Sequence, residues 1–167
     1  LWLGPETARN HGVFVSSRQT PSVLKCMLQK PSVEKLGELL KDHYYLTDIG
    51  VWLLSDRAVK VLMSHKGEYD LYSEFGGAMG THPTLDDPEV RGLKVAVLPL
   101  PGGEFYHFGT SRELLSSTLA IQNLVNDQRR IMHLSRKPHP SIFIQNTIMS
   151  LKVTADNTDV WIENSFV

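Results

Sequence analysis

The chain has 167 residues and a mass of 18.8 kDa, enough for one domain or for one domain and part of a second. Its 17 basic and 18 acidic side chains nearly cancel, which argues against a generic nucleic-acid or anionic-membrane binder, because such proteins need a positive field. The sequence contains no apolar run of about 18 residues and no signal peptide, and its single cysteine, Cys26, excludes an internal disulfide, so we expect a cytoplasmic protein without a membrane partner.

The first half of the sequence alternates strand signals with helix signals. Strands are predicted where β-branched or continuous apolar residues cluster, and helices where a capping side chain precedes a periodic apolar face. In chain order these are a strand at 11–17, a strand at 23–29, a helix at 33–41 capped by Ser32, a strand at 44–54, a helix after Ser55 or Asp56, and a short helix within 69–79. Because the run at 44–54 is almost entirely apolar, we expect a strand covered on both faces.

The following segments continue the alternation. Residues 93–100 predict another buried strand, which a Pro-Gly-Gly turn closes. Thr110 and Glu113 have the T-x-x-E spacing of a capping box, and the helix that they open is predicted to run to about His133. Strands that alternate with helices predict an α/β fold with a mixed or parallel sheet.

The end of the sequence contains an internal repeat. Residues 141–149 (SIFIQNTIM) align position by position with residues 159–167 (DVWIENSFV), at an offset of 18 residues or three six-residue units. Stacked β-helix coils have this period, because each coil buries the same inward side chains as its neighbour. We therefore predict an α/β domain over residues 1–137 and the first coils of a β-helix over residues 138–167, with a hairpin sandwich as the alternative.

Both ends of the sequence are apolar and strand-like, whereas chain termini are usually polar and frayed. About three coils are needed to bury a continuous solenoid core, so two coils should not be stable alone. These two observations predict a fragment of a larger protein; a processed small protein is the alternative.

Lys30 is the first candidate for binding chemistry. It follows a predicted strand and precedes a predicted helix start, and ligands of open α/β sheets lie at the carboxyl ends of strands. A lysine there supplies a positive charge for a phosphate, and free N–H groups at the helix start add to it. The alternative is a solvated loop lysine.

Asp48 and Gly50 interrupt the apolar run at 44–54. Burying an unpaired carboxylate is costly, so Asp48 should have a partner, which could be a sugar hydroxyl, a cation or a backbone N–H. Gly50 permits the close approach of a ligand, or a simple bulge. The functional and the structural interpretations both stay open.

Glu104 and His107 lie between a glycine turn and a predicted helix start, where they could bind a sugar or a metal. A lone histidine is, however, more often a hydrogen-bonded structural residue. The seven histidines show no H-x-x-x-H pairing, so no metal site is predicted. No phosphate-loop, G-x-S-x-G or kinase motif identifies a catalytic residue.

Five stretches of the sequence are specific when taken together: LQKPS, DIGVWLLSDRAV, LPLPGGEFYHFGTSRELLSSTLAIQ, DQRRIMH and WIENS. Together they resemble the sugar-1-phosphate nucleotidyltransferases, and more specifically the fucose-1-phosphate guanylyltransferases (GDP-fucose pyrophosphorylases) that bacteria join to a fucokinase. The resemblance extends over essentially the whole chain. It implies the C-terminal part of a Rossmann-like nucleotidyltransferase domain followed by a β-helix.

The resemblance also implies an activity and roles for residues. Such enzymes join fucose-1-phosphate and GTP to give GDP-fucose and pyrophosphate, usually with Mg²⁺. Lys30 matches the family's phosphate-binding lysine, and Gln29 replaces the glutamate that contacts sugar hydroxyls. Asp48 and Gly50 match the strand that lines the sugar pocket. His107 stands where many members have a metal-binding aspartate, and since histidine is a poor Mg²⁺ ligand we expect it to contact substrate, or the metal to be held elsewhere.

The glycine-rich nucleotide loop of the family would lie before Leu1, and the kinase after the β-helix. The expected partners are therefore the two small-molecule substrates and the remainder of a longer polypeptide, and we expect no turnover by this chain alone. One alternative is a non-catalytic module for sugar-phosphate binding or assembly. A hexapeptide-repeat acyltransferase is disfavoured, because the predicted coils contain no histidine.

Overall fold

The structure of the chain divides into two compact units. The computed structural model describes residues 1–124, 142–154 and 156–167, in an N-terminal unit (Leu1–Gly103) and a C-terminal unit (Glu104–Val167). The described strands are β1 (Gly12–Ser17), β2 (Leu24–Gln29), β3 (His43–Thr47), β4 (Ile142–Gln145) and β5 (Val160–Glu163); the described helices are α1 (Pro5–Ala8), α2 (Val33–Asp42), α3 (Asp56–Ser64), α4 (Pro88–Arg91) and α5 (Ser111–Leu124), with a π-helix at Leu71–Gly76. This mixture of helices and small sheets agrees with the predicted α/β class at that level. The predicted domain boundary at residue 137 lies outside the described residues.

The sheet of the N-terminal unit has the strand order β2-β1-β3, and both neighbouring pairs are antiparallel. The predicted mixed or parallel pairing is therefore wrong for this sheet. The outer strands β2 and β3 run in the same direction and are joined by α2, which is the predicted order of strand, helix and strand. What the sequence did not reveal is that β1 lies between them; its short connection to β2 suits an antiparallel pair.

Hydrophobic clusters cover both faces of this sheet, because successive side chains of a strand point to opposite sides. On one face α1 and α2 pack over the sheet; the buried residues are Ala8, Val13, Val15, Leu36 and Tyr45, with Cys26 packed against them. On the other face the π-helix and α4 contribute; the buried residues are Leu24, Met27, Phe75, Ala78, Met79, Val90 and Val97. The sheet is thus the middle layer of the N-terminal unit.

Side-chain caps begin the helices as the sequence predicts. Ser32 Oγ accepts a hydrogen bond from Lys35 N at 3.2 Å, and α2 begins at the next residue. Ser55, rather than Asp56, is the cap of α3, since its hydroxyl accepts from Ala58 N at 3.3 Å. The short helix predicted within 69–79 is present as the π-helix.

Two predicted strands are shorter than expected or absent. β3 ends at Thr47, and residues 48–54 form no strand, because Asp48 accepts a hydrogen bond from Gly50 N and Gly50 takes a left-handed φ of 77° that breaks the extended backbone. Residues 93–100 form only a single bridge, between Ala96 and Val23. Both segments are apolar, as noted in the sequence. An apolar segment forms a strand only where a neighbouring strand pairs with its backbone.

In the C-terminal unit, α5 begins with the predicted capping box. Thr110 Oγ1 accepts from Glu113 N at 3.2 Å and its hydroxyl donates to the Glu113 carboxylate at 3.0 Å. The helix is described to Leu124, and its predicted extension to His133 lies outside the described residues. No helix in the described ranges is long and apolar enough to cross a membrane.

The repeat in the C-terminal unit forms a parallel strand pair. β4 and β5 align Ile142 with Val160 and Gln145 with Glu163, which is the 18-residue register that the sequence predicts. Phe143 stacks on Trp161, with ring centroids 5.1 Å apart. Equivalent positions of the repeat therefore lie directly against each other, and the predicted register is confirmed.

Candidate functional site

Three strand ends meet at one edge of the N-terminal sheet. Because β1 is antiparallel to both neighbours, its first residue, Gly12, lies beside the last residue of β2, Gln29, and beside Asp48, which follows β3. Asp48 N donates to Gly12 O at 2.9 Å. A Cβ atom on Gly12 would lie 3.2 Å from Gln29 Oε1 and 3.5 Å from Asp48 Cβ. The structure thus brings Gln29 and Asp48 together around a position that has no side chain.

Lys30 adjoins this group and has an unusual backbone. Its φ of 48° lies in the left-handed region, which side chains other than glycine seldom adopt, and its N–H donates to His11 O at 3.1 Å. The side chain is exposed, and its ammonium group has no ion-pair partner within the described part of the chain. We refer to Gly12, Gln29, Lys30 and Asp48 as the sheet-edge site.

Asp48 is held by protein groups. Only 6% of the residue is exposed; its Oδ1 accepts from Gly50 N at 2.9 Å, and both carboxylate oxygens lie 3.1 Å from Trp52 Nε1. A backbone N–H and an indole N–H thus supply the partners that a buried carboxylate requires. These hydrogen bonds hold the carboxylate in place. A role of Asp48 in ligand binding stays a prediction.

The neighbouring Thr47 carries a further polar group that the sequence did not single out. The residue is 2% exposed, and within the described ranges its hydroxyl has no hydrogen-bond partner. An unpaired buried hydroxyl costs about 1–3 kcal/mol, a cost that a ligand or a further chain segment at this edge would remove.

Two cavities border the sheet-edge site. One, of about 280 Å³, is lined by Gln29 together with Lys35 of α2, Tyr72 and Ser73 of the π-helix, and Thr84. The other, of about 520 Å³, is lined by Asp48 and is mostly apolar. We call the second one the apolar cleft; its walls are residues 46–54 and 94–100, with Leu1 and Phe14. Lys30 lines neither cavity.

Glu104, His107 and the residues around them belong to the C-terminal unit. The Tyr106 hydroxyl donates to the Glu104 carboxylate, and His107 Nδ1 lies 3.2 Å from Glu113 Oε1. Hydrogen bonds from His107 and Thr110 lower the pKa of Glu113. Both predicted site residues of this unit therefore have partners at the start of α5, and their contact with a substrate stays a prediction.

A resident metal site is not apparent. Across residues 1–124, 142–154 and 156–167 no group of three His, Cys, Asp or Glu side chains comes together in a way that could hold a metal ion. The sheet-edge site offers one carboxylate, whose oxygens are already hydrogen-bonded.

Gly12 is the site residue that sequence reasoning missed. A glycine that opens an otherwise apolar strand is a known sign of close approach by a ligand or by another backbone. That signal was present in the sequence, but it becomes specific only when the register places Gln29 and Asp48 on either side.

Comparison with known proteins found a curated relative of the chain. No family model matches the chain. The sequence points to the fucose-1-phosphate guanylyltransferases. A curated protein of that class resembles this chain over the whole length of the chain. That protein is the L-fucokinase/L-fucose-1-P guanylyltransferase of Bacteroides fragilis, with 57% identity over 175 aligned residues. The chain spans 18% of the length of this relative. The resemblance predicted from the sequence is thereby confirmed.

Proposed function

We propose that the chain is part of an enzyme that joins L-fucose-1-phosphate and GTP to give GDP-L-fucose and pyrophosphate, and that the whole polypeptide also carries L-fucokinase activity. The observation that carries this proposal is the 57% identity along the entire chain to the Bacteroides fragilis protein. No separate observation favours a non-catalytic assembly module, so we retain it only as the outcome in which activity is absent.

Within this enzyme the sheet-edge site would hold the sugar phosphate. The reaction is attack of a phosphate oxygen of the sugar on the α-phosphorus of GTP, and two anions must be brought into line for it. The exposed, unpaired ammonium of Lys30 is suited to neutralise the sugar phosphate. The Gln29 amide, which can both donate and accept, is suited to sugar hydroxyls.

The left-handed backbone of Lys30 supports this assignment. A residue in that region costs of order 1–3 kcal/mol and persists only where its surroundings determine it, which is common at ligand sites. Here the hydrogen bond from Lys30 N to His11 O holds the backbone in this conformation. Lys30 therefore follows directly on Gln29 at the same sheet edge.

We further propose that the N-terminal unit is part of a Rossmann-like nucleotidyltransferase domain and that β4 and β5 belong to the first coils of a β-helix. The β2-α2-β3 crossover supports the first proposal, and the 18-residue parallel register supports the second. The residues that bind GTP would largely precede Leu1 in the longer polypeptide, where the family's glycine-rich nucleotide loop would lie.

A chimera tests the proposed function. The segment of the Bacteroides fragilis protein that aligns with this chain is replaced by the chain, and fucokinase and guanylyltransferase activities are measured separately. We expect both to persist. Loss of GDP-fucose formation in a chimera whose thermal unfolding matches that of the parent protein would contradict the proposal. Intact fucokinase activity alone would show only that the kinase part has folded.

The same chimera tests Lys30. We expect Lys30→Ala to lower kcat/KM for fucose-1-phosphate roughly tenfold to a hundredfold, the effect of losing one charge-assisted contact, and to leave fucokinase activity unchanged. Lys60→Ala, which removes an exposed lysine of α3, is the matched control and should be neutral. Equal guanylyltransferase rates for the two variants would remove Lys30 from the site.

A further inference from the structure

The apolar cleft exposes an unusual number of large apolar side chains. Val51 is 69% exposed, Leu53 is 86% exposed and Leu98 is 73% exposed, and all three line the cleft. Scattered surface leucines are ordinary, but a contiguous group around a cavity of about 520 Å³ is typical of an interaction site. The cleft therefore offers an apolar surface that the described residues leave uncovered.

Two stretches of the cleft wall also lack backbone partners among the described residues. Within the described part of the chain, no backbone–backbone hydrogen bond involves residues 51–54 or residues 98–100. Unpaired N–H and C=O groups beside apolar side chains are the features of a sheet edge that accepts a further strand. The occupant should thus supply backbone hydrogen bonds as well as apolar side chains.

Leu1 already occupies the first position of such an added strand. Leu1 N donates to Thr47 O at 3.1 Å, and Thr47 N donates to Leu1 O at 2.7 Å. This reciprocal pair is the hydrogen-bonded pair of an antiparallel ladder, and the next such pair in the same row would involve Ile49. Leu1 is buried and lines the apolar cleft, so the row points along the cleft.

We propose that the apolar cleft is the docking groove for one further β-strand, which continues the row of Leu1 antiparallel to residues 47–49 and places apolar side chains at alternating positions against Val51, Leu53 and Leu98. The occupant to which we commit is a segment of the same, longer polypeptide. This choice rests on the length of the relative, of which the chain spans 18%, and on the continuity of the groove with the Leu1–Thr47 pair. The proposal does not depend on the proposed activity.

An engineered extension of the chain tests the proposal. Six residues are added before Leu1, with valine at the second, fourth and sixth positions before it and threonine between. The control has the same composition with valine and threonine exchanged, because a shift of one residue turns every side chain to the opposite face. Amide hydrogen exchange at Ile49 and thermal unfolding are measured for both proteins and for the chain without an extension.

We expect the matched extension to slow exchange of the Ile49 amide about tenfold and to raise Tm by about 3 °C, with neither effect in the control. Equal behaviour of the two extensions would overturn the proposal. Circular dichroism of all three proteins verifies that each has folded.

A second measurement addresses a different occupant. The chain without an extension is examined by sedimentation, alone and as Leu98→Lys. A monomer in both cases agrees with the proposal. A dimer that Leu98→Lys dissociates would assign the apolar cleft to a second copy of the chain and overturn it.

Discussion

At the scale of single residues, Gly12 shows how an absent side chain can define a site. We expect Gly12→Ala to weaken binding of fucose-1-phosphate about tenfold, because its Cβ would lie 3.2 Å from Gln29 Oε1 and 2.6 Å from Met27 Cε. The crowding should also lower the free energy of unfolding by about 1 kcal/mol. Isothermal titration and denaturant unfolding of the chain measure the two effects.

The control for this substitution is Gly37→Ala in the middle of α2. A Cβ there meets nothing within 4 Å, so alanine should raise the free energy of unfolding by about 0.5–1 kcal/mol and leave binding unchanged. Opposite effects of two Gly→Ala changes on stability would separate close packing from helix propensity. Unchanged binding in Gly12→Ala would contradict its place in the sheet-edge site.

At the scale of elements, α3 and α4 are joined by a histidine that contacts two acceptors. His65 Nδ1 lies 2.9 Å from Val61 O and Nε2 lies 3.1 Å from Asp87 Oδ2, while the ring stacks on Tyr69 at 3.9 Å. Neither acceptor can donate, so both bonds form only when the imidazole carries both protons. Burial opposes this charge, but the bonds to Val61 and Asp87 and the negative charges of Asp87 and Glu89 outweigh it and raise the pKa of His65.

This contact predicts how stability depends on pH. Because the pKa of His65 is higher in the folded state, its contribution is complete below the unfolded value of about 6.5 and is lost as the pH rises through the folded value. We expect the Tm difference between wild type and His65→Ala to be largest in mildly acidic buffer, below pH 6.5, and to shrink as the pH is raised into the alkaline range. The control, His82→Ala, alters an exposed histidine. A Tm difference that grows with pH would contradict the charged state.

The carboxylate of this pair sets the acidic limit. Burial raises the pKa of Asp87, but hydrogen bonds from Val90 N, His65 and Glu89 N outweigh burial and lower it. Its contribution is therefore present above the unfolded value of about 3.9 and disappears as the pH falls through the lower folded value. The contact between α3 and α4 is strongest between these two limits.

The two copies of the repeat in the C-terminal unit are joined by paired asparagines. Asn146 Nδ2 donates to Asn164 Oδ1 at 2.5 Å, and both residues have left-handed φ angles, 46° and 50°. Asparagine tolerates this conformation better than other side chains, and glycine tolerates it best. Each position thus combines a backbone requirement with a hydrogen bond between the two copies of the repeat.

Substitutions at Asn146 separate these two contributions. We expect Asn146→Ala to lower the stability of the C-terminal strand pair by about 2 kcal/mol, since it loses the hydrogen bond and gains strain. Asn146→Gly should lower it by about 1 kcal/mol through loss of the bond alone. Exchange of the Asn164 amide, which donates to Gln145 O at 3.1 Å, reports the opening. A smaller effect for alanine than for glycine would contradict the conformational argument.

At the scale of the whole molecule, the parts predicted correctly from the sequence are those determined by local signals. Neighbours a few residues apart determine the caps Ser32 and Thr110 and the strands β1 and β2. A direct repeat in the sequence determines the 18-residue register. The sequence could not reveal that β1 lies between β2 and β3, because strand order is set by contacts between distant segments.

The errors at this scale have a common cause. The segments 44–54 and 93–100 have the composition of buried strands, but backbone pairing and burial depend on what lies beside them. For the candidate site, Gln29, Lys30 and Asp48 could be singled out one at a time from strand ends. That these residues lie together, and that Gly12 lies between them, could be seen only from the antiparallel register.

The only cysteine of the chain, Cys26, lies in the central sheet, and this position determines its reactivity. Cys26 pairs with Val15 and packs on the face that α1 and α2 cover, and burial raises the pKa of its thiol, although Lys25 and Lys35 oppose the shift. Alkylating reagents attack the thiolate, so the native chain should react slowly and mainly when α2 lifts from the strands. The rate of labelling would therefore measure how often α2 separates from the sheet by local unfolding, and no probe has to be introduced.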